Sequence, residues 1–251
     1  IESFEKIPIA SASIGQVHKA RLKNKEIVAV KIQKPGLKEL FDADIDILYH
    51  IAALIEHHFP GLKEIKPADI VKEFEKYTRS ELDYMAEANN ISIFHSNFKN
   101  SKTIKIPKVH RDFTTNKVLT MEYIHGKKLD TDAKFMALKS SKSEVIKNIV
   151  NSFITQIIDY GIFHADPHPG NILLLGNNKI ALLDFGIIGK VTPDIKEKIE
   201  SMFIALMKPD KDMLVDSLID LGFVEGNIDI TEIKKDLADH LGKYYSTSLK
   251  E

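Results

Sequence analysis

The sequence predicts an α+β protein in which a β-rich N-terminal lobe with inserted helices precedes a mostly helical C-terminal lobe. The first 32 residues are predicted to form strands, with the β-branched run Val28 to Ile32 among them, and long stretches with helical apolar spacing follow. Short strands then alternate with further helices. This order is typical of an α+β protein with a cleft between two lobes. We place the boundary after residue 124, so the predicted lobes are residues 1–124 and 125–251.

The composition is that of a globular protein and excludes several kinds of site. The chain has 251 residues, of which 43% are hydrophobic and 28% charged, and its net charge is −1. It has no cysteine, so disulfides, thiolate catalysis and cysteine-ligated metals are excluded. A near-neutral chain does not have the basic surface that nucleic-acid binding uses, and we expect no nucleic-acid partner.

No run of the sequence reaches the roughly 18 apolar residues that a membrane span needs. The N-terminus also lacks the basic and apolar regions of a signal peptide. Because the chain does not begin with Met and ends in a polar stretch, we interpret it as a fragment of a longer protein, whose membrane anchor could lie elsewhere.

The first half is predicted to contain strands, two long helices and a hairpin. Val28 to Ile32 is a short β-branched run that ends at Pro35-Gly36. Helical spacing covers 37 to about 59, and a second helix, bent near its middle, is expected from 67 to 98. The remaining predicted elements are two strands and their connection: 103–109, 117–124 and the turn at 113–116.

The second half is predicted to be helical from residue 143 onward, except for one small hairpin. Two short apolar strands, 172–175 and 180–183, are joined there by Gly176-Asn177-Asn178. The residues with the clearest chemistry flank this hairpin.

An alanine-rich stretch near the N-terminus has the spacing of a phosphate-binding loop. Residues 10–17 keep the frame G-x-G-x-x-G-x-V, with alanine at the first two glycine positions. Small side chains let backbone N–H groups approach phosphates, although alanine has less backbone freedom than glycine. Taken alone, the stretch is more typical of a plain turn. The nucleotide contacts it would supply are Ala10, Ser11, Ala12, Ser13, Ile14, Gly15 and Val17.

Val28-Ala29-Val30-Lys31 matches the V-A-[IV]-K strand of kinases, whose lysine pairs with the α- and β-phosphates of ATP. An isolated match of this kind is usually a solvated lysine at a strand end. The separation of Lys31 from the alanine-rich stretch fits a hairpin, which leaves the two interpretations balanced. Ala29 would be a further nucleotide contact.

Two motifs in the second half carry the strongest signal. Residues 164–171, His-Ala-Asp-Pro-His-Pro-Gly-Asn, follow the kinase catalytic loop H-R-D-L-x-x-x-N, and residues 184–186 read Asp-Phe-Gly. In that template the first Asp orients the hydroxyl that attacks, while the Asn and the second Asp hold Mg²⁺. The ends of one hairpin fix such groups around one point. We therefore predict Asp166 as a catalytic residue, and Asn171 and Asp184 as metal ligands.

A different hypothesis treats His164, Asp166 and His168 as transition-metal ligands. Pro167 and Pro169 prevent a regular helix that would place both histidines on one face, so we do not favour it.

A kinase also needs a helical glutamate to hold its phosphate-binding lysine. The acid-rich stretch 80–89 offers Glu81, Asp83 and Glu87, of which the last two share a helical face. Charged helices are usually just solvated, and these residues alone do not decide which acid has the role.

Taken together, these residues make the chain resemble the UbiB/AarF family of atypical kinase-like proteins, whose best-studied members support coenzyme Q (ubiquinone) biosynthesis. The resemblance covers essentially the whole chain and implies a bilobal protein-kinase-like fold. The alanine-rich loop is its most specific marker, because ordinary kinases have glycines there. The other matching segments are Val28 to Pro35, Glu81 to Tyr84, Glu87 to Asn89, His164 to Asn171 and Asp184 to Gly186.

The resemblance implies roles as well. Lys31 would pair with Glu87, and both would act with Asp166 in catalysis, with ATP or ADP and Mg²⁺ bound. Residues 121–124 look like a kinase hinge, so Met121, Glu122 and Ile124 would contact adenine. Glu81 and Asp83 match an E-x-D motif that the family places opposite a K-x-G-Q helix, which this sequence does not contain.

The segment after Asp184-Phe185-Gly186 predicts the kind of substrate. Only residues 187–191 separate it from a helix that Thr192 would cap, with Pro193 in its first turn. Ala165 also replaces the arginine that pairs with a phosphorylated activation loop in protein kinases. Because no peptide-binding platform fits here, we expect a small-molecule or lipid substrate, or ATP hydrolysis.

Three functions remain open at this point. The first is an ATP- and Mg²⁺-dependent phosphotransferase or ATPase of isoprenoid quinone or lipid metabolism. The second is a small-molecule kinase of the choline or aminoglycoside type, and the third is a nucleotide-sensing scaffold without phosphotransfer. We expect a cytoplasmic location, peripheral to a membrane and in contact with a membrane-associated biosynthetic complex, or a mitochondrial or plastid location in a eukaryote.

Overall fold

A five-stranded antiparallel sheet forms the N-terminal region in the computed structural model, which describes residues 1–11, 14–59, 61, 65–129, 138–208 and 210–222. Its strands are β1 Ser3–Phe4, β2 Ala10–Ser11, β3 Gly15–Arg21, β4 Ile27–Gln33 and β6 Val118–Glu122. Their order is β1-β3-β4-β6, with β2 also pairing to β3. A turn precedes β4, and Lys25 occupies it with a φ of 72°.

The register gives this sheet two chemically different faces. Lys31 lies opposite Val17 and Leu119, and Ala29 lies opposite Met121, so these five residues share one face. The other face packs a hydrophobic cluster of the following residues: Ala20, Leu22, Val28 and Val30, with Ile32 and Val118 against them. Period-two alternation along β4 therefore separates the core from the face that carries the lysine.

Three helices follow β4: α1 Leu37–His58, α2 Pro67–Glu81 and α3 Tyr84–Asn97. The prediction of one bent helix over 67–98 was wrong, because the chain leaves the helical conformation at Asp83, where φ is −104° and ψ is 89°. Asp83 Oδ1 accepts hydrogen bonds from the backbone N–H groups of Met85 (3.0 Å) and Ala86 (3.1 Å). Asp83 is thus the N-cap of a separate helix.

A second sheet has the order β5-β10-β9-β7 and contains the predicted small hairpin. Its strands are β5 Ile104–Lys105, β7 Lys127–Lys128, β9 Ile172–Gly176 and β10 Lys179–Leu182. The strand predicted over 103–109 is correct for only two residues, since Pro107 has no N–H group for a ladder. A short 3₁₀ helix, Arg111–Phe113, begins the connection to β6.

The remaining elements are α4 Lys142–Ile158, β8 Ile162–His164, β11 Ile188–Lys190, α5 Pro193–Met207 and α6 Lys211–Asp220. Strands β8 and β11 pair with each other. Thr192 caps α5 as predicted, because its Oγ1 accepts the N–H of Ile195 at 3.3 Å. No helix within the described ranges is long and apolar enough to cross a membrane.

The predicted α+β class is confirmed, with a β-sheet N-terminal region and a helical part. The chain divides into two compact units: Ile1–Phe153 with His164–Gly189, and Ile154–Phe163 with Lys190–Glu251. The predicted lobe boundary at residue 124 does not follow this division and stays a prediction. All predicted site residues belong to the first unit.

Candidate functional site

Lys31 lies at the centre of a buried charge cluster. Its Nζ donates to both carboxylate oxygens of Glu87, at 3.1 and 2.9 Å, and to Asp184 Oδ2 at 3.3 Å. The side chains of Lys31 and Glu87 are 8% and 1% exposed, whereas that of Asp184 is 37% exposed. Strand β4, helix α3 and the segment after β10 therefore meet at one ammonium group.

The cluster has more negative than positive charge. Burial by itself lowers the pKa of Lys31, but the charges of Glu87 and Asp184 outweigh burial and hold this pKa above its usual value. Burial raises the pKa of Glu87, and the Lys31 ammonium only partly opposes it. Burial and the charge of Asp184 likewise raise the pKa of the nearby Glu81. The site would accordingly be stabilised by a further cation.

The catalytic-loop residues form a second group at the start of the β9–β10 hairpin. Asn171 ends a short 3₁₀ helix, Pro169–Asn171, and its Nδ2 donates to Asp166 Oδ2 at 2.9 Å and to the Asp166 carbonyl at 3.2 Å. The N–H of Leu183 donates to the Asn171 carbonyl at 2.8 Å. This bond brings Asn171 beside the segment that carries Asp184, so both predicted metal ligands lie at one end of the hairpin.

Asp184 has the left-handed backbone conformation, with a φ of 60°. Such a φ is uncommon outside glycine, and aspartate tolerates it better than most residues because its short side chain bonds locally. The Asp184 Oδ1 atom accepts the N–H of Gly186 at 3.4 Å, which is a bond of that kind. Left-handed backbone at a predicted ligand is typical of functional sites, where the surrounding structure holds the strain.

Phe185 anchors this turn in the core. Its ring is fully buried between Phe94 of α3, with 4.8 Å between ring centroids, and His164, at 4.9 Å. Its carbonyl accepts Asn90 Nδ2 at 2.8 Å. These contacts connect the turn at Asp184 to the helix that carries Glu87.

His164 is a structural residue of the catalytic loop. Its Nε2 lies 2.9 Å from the Leu183 carbonyl and must donate to it, so its Nδ1 accepts the N–H of Asp166 at 3.2 Å. Both ring nitrogens of the neutral imidazole are thereby used, and the ring is only 2% exposed. The transition-metal hypothesis for His164, Asp166 and His168 is not supported.

The alanine-rich loop begins at an exposed edge of the sheet. Ala10 lies opposite Val17, and Ser11 lies opposite Gln16. The carbonyl of Ile14 accepts the N–H of Lys34 at 3.0 Å, which ties the loop to the end of β4. The predicted contacts Ala12 and Ser13 lie outside the described residues.

Gly15 is required by close packing. A Cβ atom at this position would lie 2.6 Å from the hydroxyl of Tyr84 and 2.7 Å from the Ile32 carbonyl oxygen. The third glycine of the motif is therefore needed for packing against Tyr84 and Ile32, which the motif spacing alone did not show.

The predicted hinge residues follow β6. Met121 is buried on the lysine face of the sheet, while Glu122 lies on the opposite face beside Val28. The Glu122 carboxylate pairs with Lys105 at 2.7 Å, and its N–H donates to the Lys108 carbonyl at 2.7 Å. Ile124 is half-buried and outside regular structure. Their contact with adenine stays a prediction.

The structure shows different contacts for the three acidic residues whose roles the sequence left open. Glu87 pairs with Lys31, Asp83 caps α3, and Glu81 lies beside Gly186, where an added Cβ would be 3.1 Å from its Oε1. Sequence reasoning did not assign roles to two further residues. Tyr84 lies against Gly15, and Asn90 donates a hydrogen bond to the Phe185 carbonyl. An aspartate just before an apolar helical run was the available signal for the cap.

The donor set fits Mg²⁺. Within the described ranges no three His, Asp or Glu residues cluster as a self-contained metal site. Asn171 and Asp184 offer hard oxygen atoms at one end of the hairpin, and Mg²⁺ in phosphate-handling sites uses one or two protein ligands of this kind together with phosphate oxygens. The excess negative charge around Lys31 is consistent with the same ion.

A strand lysine held by a helical glutamate, with Asp and Asn of a catalytic loop and an Asp-Phe-Gly turn, defines a kinase-like site. Residues 1–218 match the family model described as the ABC1 atypical kinase-like domain. The chain belongs to this UbiB/ABC1 family of kinase-like proteins.

Similar proteins come from plants and bacteria. The chloroplastic protein Activity of BC1 complex kinase 8 of Arabidopsis thaliana is 36% identical over 239 residues, which cover 93% of this chain and 31% of the relative. Kinase 7 of the same name is 33% identical, covering 98% of this chain and 35% of the relative. An uncharacterized Synechocystis protein is 32% identical, covering 99% and 43%. The chain thus spans less than half the length of these relatives.

A solved structure also resembles the fold. The complex of Rv3197 with erythromycin, from Mycobacterium tuberculosis, superposes with a TM-score of 0.71 at 26% identity and covers 96% of this chain and 60% of that one. The family match and this structure agree on a kinase-like protein.

Proposed function

We propose that this chain binds adenine nucleotide with Mg²⁺ and acts as an ATP-dependent phosphotransferase or ATPase on a small-molecule or lipid substrate. The observation that carries the proposal is the contact of Lys31 Nζ with both Glu87 and Asp184. This contact joins the predicted phosphate-binding lysine to the predicted metal ligand, in the arrangement that phosphoryl transfer uses.

Each residue has a role that follows from its position. Lys31 is held on the sheet face shared with Val17, Ala29 and Met121, where it would meet the phosphates of a nucleotide lying along that face. Asp166 is half-buried and oriented by Asn171, so it is placed to accept a proton from an acceptor hydroxyl or a water molecule. Mg²⁺ held by Asn171 and Asp184 would supply charge neutralisation at the phosphates.

A cavity beside the site supports a small acceptor. It has a volume of about 310 Å³, lies between α2, α3 and residues 186–188, and is lined by Tyr77, Asn90 and Ile187 among others. This volume is at the lower end of the range for small-molecule sites. The solved Rv3197 structure is likewise a complex with a small molecule, erythromycin.

We further propose that the substrate belongs to isoprenoid quinone or lipid metabolism, and that the protein works at a membrane surface with a biosynthetic complex. Membership of the UbiB/ABC1 family supports the pathway. Two relatives are chloroplastic, which supports a plastid location for eukaryotic members. A cytoplasmic or mitochondrial location is the corresponding proposal for other hosts.

The test is nucleotide binding and phosphate transfer by the full chain. Thermal unfolding is measured with ATP in Mg²⁺ and with ATP in EDTA, and labelled phosphate is followed separately as free phosphate and as product in lipid and quinone-precursor extracts. We expect stabilisation by Mg·ATP well above that by ATP alone, because Asp184 otherwise faces phosphate unscreened. Equal stabilisation with and without the metal contradicts the metal assignment.

Two variants complete this test. Asp184→Asn should fold but reduce phosphate release and transfer at least about a hundredfold, since charge stabilisation at the phosphates is lost. Asp44→Asn, an exposed position of α1, is the matched control and should behave as wild type. Normal turnover by Asp184→Asn rules out its predicted role, whereas Mg·ATP binding by wild type without any turnover favours the nucleotide-sensing scaffold.

A further inference from the structure

Tyr84, the first residue of α3, is fully buried, yet its hydroxyl oxygen has no hydrogen-bond partner among the residues that the structure describes. Buried polar atoms are almost always paired in native proteins, because an unpaired one costs about 1–3 kcal/mol. Phenylalanine would fill the same space without this cost. A hydroxyl kept under these conditions indicates a partner that arrives with a ligand.

Tyr84 lies close to both elements to which the proposed function assigns the phosphates. Its hydroxyl adjoins Gly15 of the alanine-rich loop, where an added Cβ atom would be only 2.6 Å from the Tyr84 oxygen. Its ring adjoins Lys31, whose Nζ lies 5.1 Å from the ring centroid. A phosphate bound between the loop and Lys31 would therefore lie next to Tyr84.

The hydroxyl is available as a hydrogen-bond donor. Burial raises the pKa of Tyr84 to about 12, with the charge of Lys31 acting in the opposite direction, so the phenol keeps its proton at neutral pH. The Lys31 ammonium has only donors and cannot accept this proton. An anionic oxygen can accept from both groups at once.

We propose that the Tyr84 hydroxyl donates a hydrogen bond to a phosphate oxygen of the bound nucleotide, beneath Gly15 of the alanine-rich loop. The inference rests on the proposed function, because it needs a nucleotide phosphate beside Lys31. The oxygen is covered in this structure by Gly15, the first residue of β3, so the contact requires Gly15 to move away from it. Gly15 lies opposite Gln33 at the end of the ladder, and the Ile14 carbonyl accepts the N–H of Lys34, so this movement opens only one end of the β3–β4 pairing.

Tyr84→Phe tests the proposal, with Tyr49→Phe as its matched control. Tyr49 also carries a hydroxyl in the first compact unit, but that hydroxyl already donates to Glu75 Oε2 at 2.9 Å. For the full chain and both variants, thermal unfolding without ligand is measured, followed by titration with Mg·ATP, Mg·ADP and adenosine.

We expect opposite behaviour from the two variants. Tyr84→Phe should keep or raise the melting temperature, lower the affinity for Mg·ATP and Mg·ADP about 2- to 12-fold, and leave adenosine binding unchanged. Tyr49→Phe should lower the melting temperature slightly and leave all three affinities unchanged. Gly15→Ala, which pushes a methyl group against the hydroxyl, should also weaken the two phosphate ligands.

Wild-type affinity for Mg·ATP in Tyr84→Phe overturns the inference while leaving the proposed function intact. The inference also fails if adenosine affinity falls equally, or if the variant unfolds at a lower temperature, because the hydroxyl would then act in packing. Wild-type Mg·ATP affinity in Gly15→Ala also overturns it. A wild-type chain that binds none of the three ligands overturns the proposed function itself, and this inference with it.

Discussion

Two clusters of charged side chains in the first compact unit contain the same kinds of residue but differ in burial and hydrogen bonding. Each contains one cation between two carboxylates, with a tyrosine beside it. The buried cluster consists of Lys31, Glu87, Asp184 and Tyr84, and the surface cluster, which joins α1 to α2, consists of Arg79, Glu75, Asp42 and Tyr49. Lys31 is 8% exposed, whereas Arg79 is 45% exposed.

The glutamates show the difference most directly. Hydrogen bonds from Arg79 and Tyr49 lower the pKa of Glu75, while burial raises the pKa of Glu87 despite its two bonds to Lys31. The tyrosines differ too, because Tyr49 donates to Glu75 and Tyr84 has no partner among the described residues. The carboxylates of the surface cluster pair with Arg79 across two helices, whereas the buried cluster has excess negative charge and the unpaired hydroxyl of Tyr84.

The largest effect that this comparison predicts is on stability. Glu87→Ala leaves the Lys31 ammonium buried with only the more distant Asp184, and removal of one partner from a buried pair costs about 3–5 kcal/mol. Glu75→Ala should have a much smaller effect, because exposed pairs contribute little. Urea unfolding of both variants measures the difference.

A double variant distinguishes the contribution of the ion pair to stability from its role in nucleotide binding. Replacing Lys31 by Met and Glu87 by Leu together should recover most of the stability, because apolar substitutes often match a buried pair, but nucleotide binding should be lost. Equal destabilisation by Glu87→Ala and Glu75→Ala would show that the Lys31 cluster is hydrated in solution and would break the comparison.

The second prediction is a loss of stability at alkaline pH. The raised pKa values of Lys31 and Tyr84 mean that the folded chain keeps protons that the unfolded chain releases from about pH 10 upward. Their contribution to stability is thus complete below pH 10 and lost as the pH rises above it. Unfolding between pH 9 and 11 measures the slope.

Tyr84→Phe should reduce the alkaline loss of unfolding free energy by roughly 1 kcal/mol, because the variant has no phenol proton to keep in the folded state. Tyr49→Phe should also remove part of the alkaline loss, because the hydrogen bond to Glu75 raises the pKa of Tyr49 as well. If Tyr84→Phe leaves the alkaline slope unchanged, the Tyr84 hydroxyl is more accessible to water than its burial indicates.

The sequence was sufficient for residues whose positions depend on neighbours along the chain. Asp166, Asn171 and Asp184 belong to motifs of fixed spacing around one hairpin, and Lys31 lies in the β-branched run of β4, so local pattern predicts their positions. The hairpin turn residues Asn177 and Asn178 adopt positive φ as their type predicts.

What the sequence analysis missed is one local signal and several contacts between distant segments. The local signal is the N-cap Asp83, which has no glutamate or glutamine three residues later to complete a capping box, so helical periodicity continues through it. The pairing of Glu87 with Lys31 joins residues that are 56 positions apart, and no local pattern selects Glu87 over the other two acids. The unpaired hydroxyl of Tyr84 exists only because α3 packs beneath Gly15, and no local pattern records such a contact.

The third prediction uses two glutamates with shifts of opposite sign. The folded-state pKa of Glu81 is raised, so its ionisation is unfavourable in the folded chain, and stability falls as the pH rises through that pKa. Glu81→Gln should raise the melting temperature by about 1–3 °C at pH 7.5 and have no effect near pH 4. Glu75→Gln should lower it at pH 7.5, because the pKa of Glu75 is lowered.

Differential scanning at the two pH values checks both signs. A lower melting temperature for Glu81→Gln at pH 7.5 would mean that its carboxylate has a cationic partner in solution, and would remove Glu81 from the excess negative charge around Lys31.

The smallest expected effect concerns the start of the alanine-rich loop, where Ala10 and Ser11 are exposed. Ala10 is in β2 opposite Val17, with an ordinary extended backbone that does not require glycine. Ala10→Gly adds backbone freedom and should cost only about 0.5–1 kcal/mol of stability. It should nevertheless change nucleotide affinity or raise self-phosphorylation, because a looser loop closes differently over the phosphates.

Ala53→Gly, at an exposed position of α1, should cost similar stability without either change. Affinities for ATP and ADP and incorporation of labelled phosphate are measured for wild type and both variants. If Ala10→Gly and Ala53→Gly both match wild type in all three quantities, the alanine-rich loop is a passive turn, and nucleotide handling depends on Lys31, Tyr84 and the hairpin alone.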